Sequence, residues 1–433
     1  MIGMALGVGF LIALGLTVSM LLAGVLFGIG FIVLAATWPR LALLFLLGSA
    51  PFVWDVGGGP VKMAVADFAL VLVLIAFVMI GRPRRVRNPL WIPIGAYFAV
   101  CLFSLFGSGL REGALSSLVQ MVVYLVATVY VFSACIRDPL EVFPALYAFI
   151  AGNLVLVVLL FLAGSNYAFG LHKNNTGSSI GLGLMTAIGL WMGETSKARV
   201  RVLTLAILVL LAGLVFTLSR GSWMGAITGT LVMQLLRRQW KYALKMMALV
   251  VPIAAIVWML LPSESKEVAT AVGADVYTTK ARLISIEYAF SHFRSSPVIG
   301  VGLGLRKTFD ATNVVMTTLA ETGVLGFLSF FSIFAVFAAM VWRGAKRIDV
   351  SDPAMVLLTV GAAFMTAKLV HGMVDHYWVR GILPVWAGAG LAVYAANRPA
   401  LRRRGRAANP QRIVTAPVVA ARRPLEQDVI EHE

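Results

Sequence analysis

The sequence predicts an all-α polytopic membrane protein with about 12 to 14 transmembrane helices and one large outer loop. Three observations support this prediction. The 433 residues are 60% hydrophobic and 13% charged, with a mean hydropathy of +0.90, which is too apolar for a soluble chain of this length. Uncharged runs of about 20 residues recur from residue 4 to residue 397. Basic clusters separate these runs in pairs.

The apolar runs define the predicted helices, because a bilayer core needs about 20 apolar residues for each crossing. The first 38 residues carry no charge and no cleavage site of the A-x-A type, so we expect the N-terminus to stay as helix. The predicted spans are 4–20, 21–37, 41–54, 65–81, 90–107, 115–135, 142–163, 176–193, 202–218, 222–236, 245–261, 314–342, 354–372 and 381–397.

The positions of the Lys and Arg residues predict the topology. If every basic cluster is cytoplasmic, the intervening loops all fall outside without conflict, and both termini lie inside. The net charge of +17 is then explained by inner loops, so the sequence gives no support for nucleic-acid binding. The clusters are Arg82–Arg87, Arg137, Lys197–Arg201, Arg237–Lys245, Arg343–Arg347 and Arg402–Arg406.

Two segments interrupt the pattern of helix pairs. Residues 262–313 form a long outer loop, in which Thr279–Phe293 spaces its apolar residues as an amphipathic helix lying on the membrane. Residues 398–433 are rich in Arg, Pro and Ala and predict a disordered basic cytoplasmic tail, which leaves residues 1–397 as the membrane domain. Cys101 and Cys135 lie in apolar runs and are interpreted as packing residues.

Two outer-face segments carry cations near the membrane. His172, Lys173 and Asn174 precede a helix whose N-terminal amides can bind an anion; the alternative is a capped helix start, with Asn or Thr as the cap, and a snorkelling lysine. Arg220 separates two apolar runs with no polar loop after it. Since a guanidinium is costly there unless it is paired or hydrated, we interpret it as a phosphate-binding group rather than as a headgroup anchor.

The later outer segments add further candidates. Arg282 and Arg294 lie on a helix that runs into the glycine pattern of Gly300–Gly304, where no preceding strand supports a dinucleotide site. Arg282 is a second candidate for phosphate binding, and a solvated loop charge is the alternative. Glu321 is the one charge within an apolar helix, where structural pairing with an outer arginine and catalysis are both open. His371, Asp375, His376 and Arg380 gather between two helices, beside Tyr377 and Trp378, where metal ligation is a minor alternative to acid–base chemistry.

These motifs resemble the superfamily of bacterial O-antigen ligases and Wzy-type O-antigen and exopolysaccharide polymerases. The resemblance rests on the HKN segment at His172–Gly177, the SRG turn at Ser219–Gly221, Arg282 followed by PVIGVGLG at Pro297–Gly304, and LAETGVLG at Leu319–Gly326. It implies a multi-pass enzyme of the bacterial inner membrane whose active site faces the periplasm. Such an enzyme passes glycan from an undecaprenyl-diphosphate carrier to an acceptor hydroxyl, with neither metal nor other cofactor.

The resemblance also implies residue roles and partners. Arg220 and Arg282 would hold the departing diphosphate, and the acceptor would be another glycan or lipid A-core, with membrane lipid and a chain-length regulator as further partners. The family commonly has a His before the Asn that ends the large loop, and here that position is Thr312. His371 or His376, oriented by Asp375, is then the substitute base, or the activity is altered or lost.

Two other classes of membrane protein fit part of the pattern. A secondary transporter would also contain intramembrane Arg and Glu, but it tends to show inverted repeats, and the two halves of this sequence are not similar. A lipid flippase would need cations through the whole depth of a cavity, whereas the polar residues here cluster at one face. Between polymerase and ligase, the HKN segment favours polymerase.

Overall fold

The computed structural model describes residues 20–54, 63–108, 113–163, 172–239, 276–305, 312–374 and 381–408, with residues 252, 255, 256 and 259. The regular structure in these ranges is helical, as the apolar runs predict. The helices are α1 (Met20–Thr37), α2 (Pro39–Ser49), α3 (Val65–Met79), α4 (Trp91–Ser108), α5 (Ala114–Met121, continuing to Cys135 in π-helical form), α6 (Phe143–Ala163), α7 (Lys173–Trp191), α8 (Lys197–Phe216), α9 (Arg220–Arg237), α10 (Val276–Ser295), α11 (Val314–Ala345), α12 (Pro353–Val374) and α13 (Leu383–Ala408).

The predicted fold class, an all-α polytopic membrane protein, is confirmed. In the described part of the chain, five helical segments are long and apolar enough to cross a membrane, and four shorter apolar helices accompany them. Helices α7, α9 and α13 also coincide with predicted spans. The predicted spans 4–20 and 245–261 lie outside the described residues, apart from the four single positions named above.

Two predictions outside the core have different outcomes. The amphipathic helix predicted at Thr279–Phe293 is confirmed as a helix, since α10 contains it. Residues 398–408, predicted as the start of a disordered tail, are helical, because α13 continues to Ala408. Five arginines and three alanines in this stretch favour helix, although Pro399 and Gly405 do not. Residues 409–433 lie outside the described part.

Helices α7, α9 and α12 form a tightly packed group that positions the site. A Cβ placed on Gly225 of α9 would lie 2.7 Å from the carbonyl oxygen of Ala367 on α12. The same geometry recurs one turn later, with Gly229 2.7 Å from the Ala363 carbonyl oxygen, so the two helices are antiparallel. Glycine at these positions lets two helix backbones touch, as is common between membrane helices. The first residues of α9 therefore meet the last residues of α12.

The basic segments predicted to be cytoplasmic gather at the other end of these helices. Arg237, at the end of α9, is buried and donates to the carbonyl oxygens of Gly189, Met192 and Val350 at 3.3 to 3.5 Å. These contacts satisfy carbonyls at the end of α7 and in the α11–α12 turn. Arg82 forms a 2.7 Å salt bridge with Glu141 and donates to Cys135 O at 3.2 Å.

Helix α11 is broken at Gly323, and the segment 297–302 forms hydrogen bonds with the backbone groups that the break leaves unpaired. Gly323 has φ 64° and ψ −166°, which is not helical. The break frees four backbone groups: the carbonyls of Ala320 and Glu321 and the amides of Val324 and Leu325. The segment pairs with all four, through Val301 N to Ala320 O, Gly302 N to Glu321 O, Val324 N to Pro297 O and Leu325 N to Val298 O, at 2.9 to 3.2 Å. Backbone groups in lipid must be paired, so the two motifs form one structural unit.

We expect Gly323→Ala to destabilise the protein by about 3 kcal/mol or more. Its φ and ψ are almost exclusive to glycine, and an added Cβ would collide with the backbone of Val298. Gly95→Ala is the matched control, because a Cβ on Gly95 meets nothing within 4 Å. The measurement is the thermal loss of the monodisperse detergent-solubilised peak on gel filtration. Equal midpoints for the two variants would contradict this account of the broken helix.

Candidate functional site

The first turns of α7 and α9 lie side by side at the predicted outer end. His172 precedes α7 as its cap, where Nδ1 accepts a hydrogen bond from the Asn174 amide at 3.3 Å; the expected cap was Asn or Thr. Burial, and to a smaller degree Lys173, lowers the pKa of His172, which keeps the imidazole neutral and able to accept. Ser222 of α9 donates to Asn174 O at 3.4 Å. Both predicted anion-binding segments therefore share one region.

The SRG turn is held in a defined shape by its own side chains. Thr217 Oγ1 donates to Leu214 O at 2.7 Å and accepts from Ser219 N at 3.3 Å, and the Ser219 and Ser222 hydroxyls lie 2.8 Å apart. Leu218 has a positive φ of 53°, a conformation that is uncommon outside glycine and is often found at functional sites. The turn therefore fixes the start of α9.

Arg220 projects from this turn without a counterion in the described part of the chain. It is the first residue of α9 and is exposed, and among the described residues it forms no hydrogen bond or ion pair. Its guanidinium thus stands free beside the N-terminal ends of two parallel helices, α7 and α9, whose dipoles both favour negative charge there. The arrangement can bind an anion such as a phosphate.

His371, near the end of α12, lies against the SRG turn. Its side chain is buried, with 2% exposed, and a Cβ placed on Gly221 would lie 2.6 Å from its Cδ2. Its Nε2 is buried without a hydrogen-bond partner among the described residues. His371 also lines a cavity of about 10 Å³ together with Lys368 and Ser222. A cavity of that size holds one water at most.

The end of the large loop connects α10 to the same region. Asn313 caps α11 by accepting from Val315 N at 2.9 Å and Met316 N at 3.1 Å, and its Nδ2 donates to Met373 O of α12 at 2.7 Å. Thr312, with φ 51°, places its hydroxyl 3.1 Å from that of Ser285.

Ser285 in turn donates to Arg282 O at 2.8 Å. Arg282 is half-buried and pairs with no acid among the described residues. A chain of contacts through Ser285, Thr312, Asn313 and Met373 therefore joins the Arg282 segment to the end of α12, two residues beyond His371. This places Arg282 in the same assembly of outer-end segments as the SRG turn.

Two predicted residues occupy different surroundings. Arg294 is exposed and its guanidinium lies 4.4 Å from the centre of the Phe290 ring. Glu321 is fully buried at the break in α11, where its carbonyl oxygen accepts from Ser104 Oγ at 2.7 Å and from Gly302 N at 3.0 Å. Within the described part of the chain, neither Arg220 nor Arg282 forms an ion pair with it. The predicted pairing of Glu321 with one of these two arginines is therefore not seen in the described residues.

Other predicted residues lie outside the described part. These are Asp375, His376 and Arg380, with Tyr377 and Trp378. In the part that is described, no three His, Cys, Asp or Glu side chains come together as metal ligands would. Cys101 and Cys135 are buried and form no disulfide in the described structure, in agreement with packing roles.

Residues 205–331, less than a third of the chain, match the family model for O-Antigen ligase. The resemblance to the O-antigen ligase and Wzy-type superfamily is thereby confirmed. The segment runs from α8 into α11 and contains Arg220, Arg282, Arg294 and Glu321. It indicates membrane glycosyl transfer of the O-antigen ligase or polymerase type, with a lipid-linked glycan donor and a glycan acceptor. No curated protein matches the chain significantly.

Sequence reasoning missed two polar residues of this region. Lys368 is buried, with 3% exposed, and lies one turn before His371 on the same side of α12. It is the one charge in the apolar run 354–372, and a charged residue within a span is a signal of function. Ser222 directly follows the SRG motif and was not singled out, because its contact with Asn174 depends on the packing of α7 against α9.

Proposed function

We propose that the protein transfers glycan from an undecaprenyl-diphosphate-linked donor to an acceptor hydroxyl, and that it polymerises O-antigen or exopolysaccharide repeat units. The observation that carries the proposal is Arg220, a guanidinium with no ion-pair partner among the described residues, within the matched family segment and beside two helix N-termini. A diphosphate is the anion that such a donor brings to the membrane surface. The planar guanidinium fits it through two parallel hydrogen bonds.

The transfer needs groups that stabilise the charge on the departing diphosphate and a base that accepts the proton of the acceptor hydroxyl. The acceptor oxygen forms a bond to the anomeric carbon of the donor sugar, and the bond from that carbon to the diphosphate oxygen breaks, so the electron pair leaves with undecaprenyl diphosphate. Arg220 and Arg282 stabilise the charge that develops on this leaving group. His172, Lys173 and Asn174 are assigned to donor binding, and Arg294 and Arg380 to further contacts with the substrate.

The acceptor proton passes to an imidazole. We assign this role to His371, whose Nε2 lies beside the SRG turn with no hydrogen-bond partner in the described structure. One water in the adjoining cavity is sufficient to bridge it to an acceptor. His376, oriented by Asp375, is the competing base. Glu321 is assigned to the broken helix rather than to the chemistry, because it is fully buried there. The proposed chemistry uses no metal, since two guanidinium groups take the part of a cation at the diphosphate.

The experiment that tests the function uses the full chain in proteoliposomes. Undecaprenyl-diphosphate-linked repeat units are supplied alone or with lipid A-core, and products are separated on gels. A ladder from repeat units alone, unchanged by a divalent-metal chelator, is the expected result. Transfer only to lipid A-core would mean that the protein acts as a ligase and not as a polymerase. Chelator-sensitive activity restored by Mg²⁺ or Mn²⁺ would exclude the metal-independent mechanism, and no transfer to either acceptor would overturn the proposal.

We place the site on the periplasmic side of the inner membrane, with both termini in the cytoplasm. The support is the distribution of basic clusters along the sequence. In the fold, the segments that contain Arg82 and Arg237 lie away from Arg220. Reporter fusions after residues 265 and 410 test this topology. A periplasm-specific signal at 265 and a cytoplasm-specific signal at 410 are expected, and the reverse pair would invert the whole orientation.

A further inference from the structure

A second cavity lies at the opposite end of α9 from Arg220. It has a volume of about 430 Å³, within the range of ligand sites, and is bounded by the end of α9 and the turn that follows α11. Its lining residues are Leu236, Arg238, Ala345, Lys346, Arg347, Ile348, Asp349 and Val350. The 18 residues of α9 separate it from the SRG turn by about 27 Å, close to the thickness of a bilayer core.

The cavity holds more positive than negative charge. Arg238, Lys346 and Arg347 are exposed, and in the described structure none of them forms an ion pair. The one acid of the lining is Asp349, which accepts from Ser351 N at 2.8 Å and Ser351 Oγ at 2.6 Å. These hydrogen bonds lower the pKa of Asp349, so its carboxylate is ionised and engaged locally. Three cations therefore face one occupied carboxylate.

The simplest alternative is that these cations only cap helix ends. Arg238 and Lys346 do follow α9 and α11, where a C-terminal dipole equivalent to roughly half a negative charge attracts a cation. Two such ends offset about one of the three positive charges. Arg238 also takes φ 54° at this position, which directs the chain around the cavity. The cavity keeps an excess of positive charge after capping is allowed for.

The surroundings of the cavity are those of a membrane interface. Trp342, one turn before Lys346 on α11, is half exposed, and its ring lies 4.9 Å from the Lys346 Nζ. Exposed tryptophans of this kind mark headgroup depth. On α9, Ile227, Leu231 and Leu235 are exposed at helical spacing and lead towards Arg238. Cations thus lie at the end of an apolar stripe that suits an acyl chain.

We propose that this cavity binds the phosphate headgroup of an anionic phospholipid, with the acyl chains along the exposed stripe of α9. The shared chemistry is a phosphate ester held by Arg238, Lys346 and Arg347. The apolar stripe and Trp342 favour a lipid over a free phosphate ester, because only a lipid has chains to cover them. The site is independent of the proposed glycan transfer.

The test measures lipid retained by the full-length protein in neutral detergent. Native mass spectrometry counts phosphatidylglycerol bound to wild type, to a cavity variant (Arg238→Asn, Lys346→Gln, Arg347→Gln) and to a matched control (Arg84→Gln, Arg85→Gln, Arg87→Gln). Asn tolerates the left-handed conformation of residue 238. The control also removes three exposed cations from the predicted inner face, but these do not line the cavity. Equal elution volumes confirm that all three proteins are folded.

We expect the cavity variant to bind phosphatidylglycerol roughly 100-fold more weakly, on the order of fivefold for each cation, and the control to bind as wild type does. Equal loss of bound lipid in both variants would show that general surface charge causes the effect and would overturn the proposal. Lipid binding at the wild-type level by the cavity variant would also overturn it. Glycerol phosphate, added as a competitor, distinguishes a lipid headgroup from a free phosphate ester as the ligand. Displacement of the lipid by equimolar glycerol phosphate would overturn the assignment to a lipid headgroup.

Discussion

Replacing Arg220 with Lys is expected to reduce glycan transfer roughly 30- to 150-fold, although the charge is retained. The guanidinium is exposed and without a protein counterion among the described residues, so its binding capacity is available to the substrate. An ammonium cannot reproduce two parallel hydrogen bonds to a diphosphate. The corresponding loss of about 2 to 3 kcal/mol acts on the transition state if the charge develops on the leaving group.

The measurement is the glycan chain profile of a deletion strain complemented with each variant at equal membrane abundance. Arg282→Lys is expected to behave like Arg220→Lys, since both are assigned to the diphosphate. Arg201→Lys is the matched control, because Arg201 is exposed at the start of α8 in a predicted cytoplasmic cluster. If Lys serves as well as Arg at 220 and 282, both residues are headgroup anchors and the diphosphate assignment is wrong.

Most helices could be predicted because the hydropathy and charge of a segment depend only on its own residues. The predicted span 354–372, for example, differs from α12 by a few residues at its ends. The break at Gly323 could not be predicted in this way. Hydropathy counts residues along 314–342, whereas the break depends on four hydrogen bonds to a segment about 20 residues earlier in the chain. The PVIGVGLG and LAETGVLG motifs were visible, but their pairing is tertiary.

The site was predictable where a residue stood out from its local sequence. Arg220 and the segment from His172 to Asn174 were recognised as charges or polar groups at the ends of apolar runs, and the structure brings them together. Arg294 stood out equally, yet it stacks on Phe290 at an exposed position. Lys368 was missed although it is the one charge in its apolar run, and its burial beside His371 depends on the packing of α9 against α12.

His371→Gln is expected to lower kcat by roughly 100- to 10,000-fold with a smaller change in KM, because a general base acts on the proton of the acceptor and not on donor binding. Gln occupies similar space and can hydrogen-bond, so it preserves the packing against Gly221 while removing the proton acceptor. The measurement is steady-state transfer in proteoliposomes between about pH 3 and pH 8, because burial beside Lys368 disfavours the protonated form of the His371 imidazole and moves its charge change to low pH.

The pH profile separates catalysis from packing. Protonation of a base imidazole stops its function, so wild-type activity should fall as the pH decreases, and the residual activity of His371→Gln should lack this acid limb. Gly221→Ala provides an independent perturbation, since its Cβ would displace the imidazole, and it should lower kcat without removing the acid limb. His376→Gln tests the competing base. If His376→Gln loses the acid limb and His371→Gln keeps it, the base is His376, and His371 serves only to pack α12 against the SRG turn.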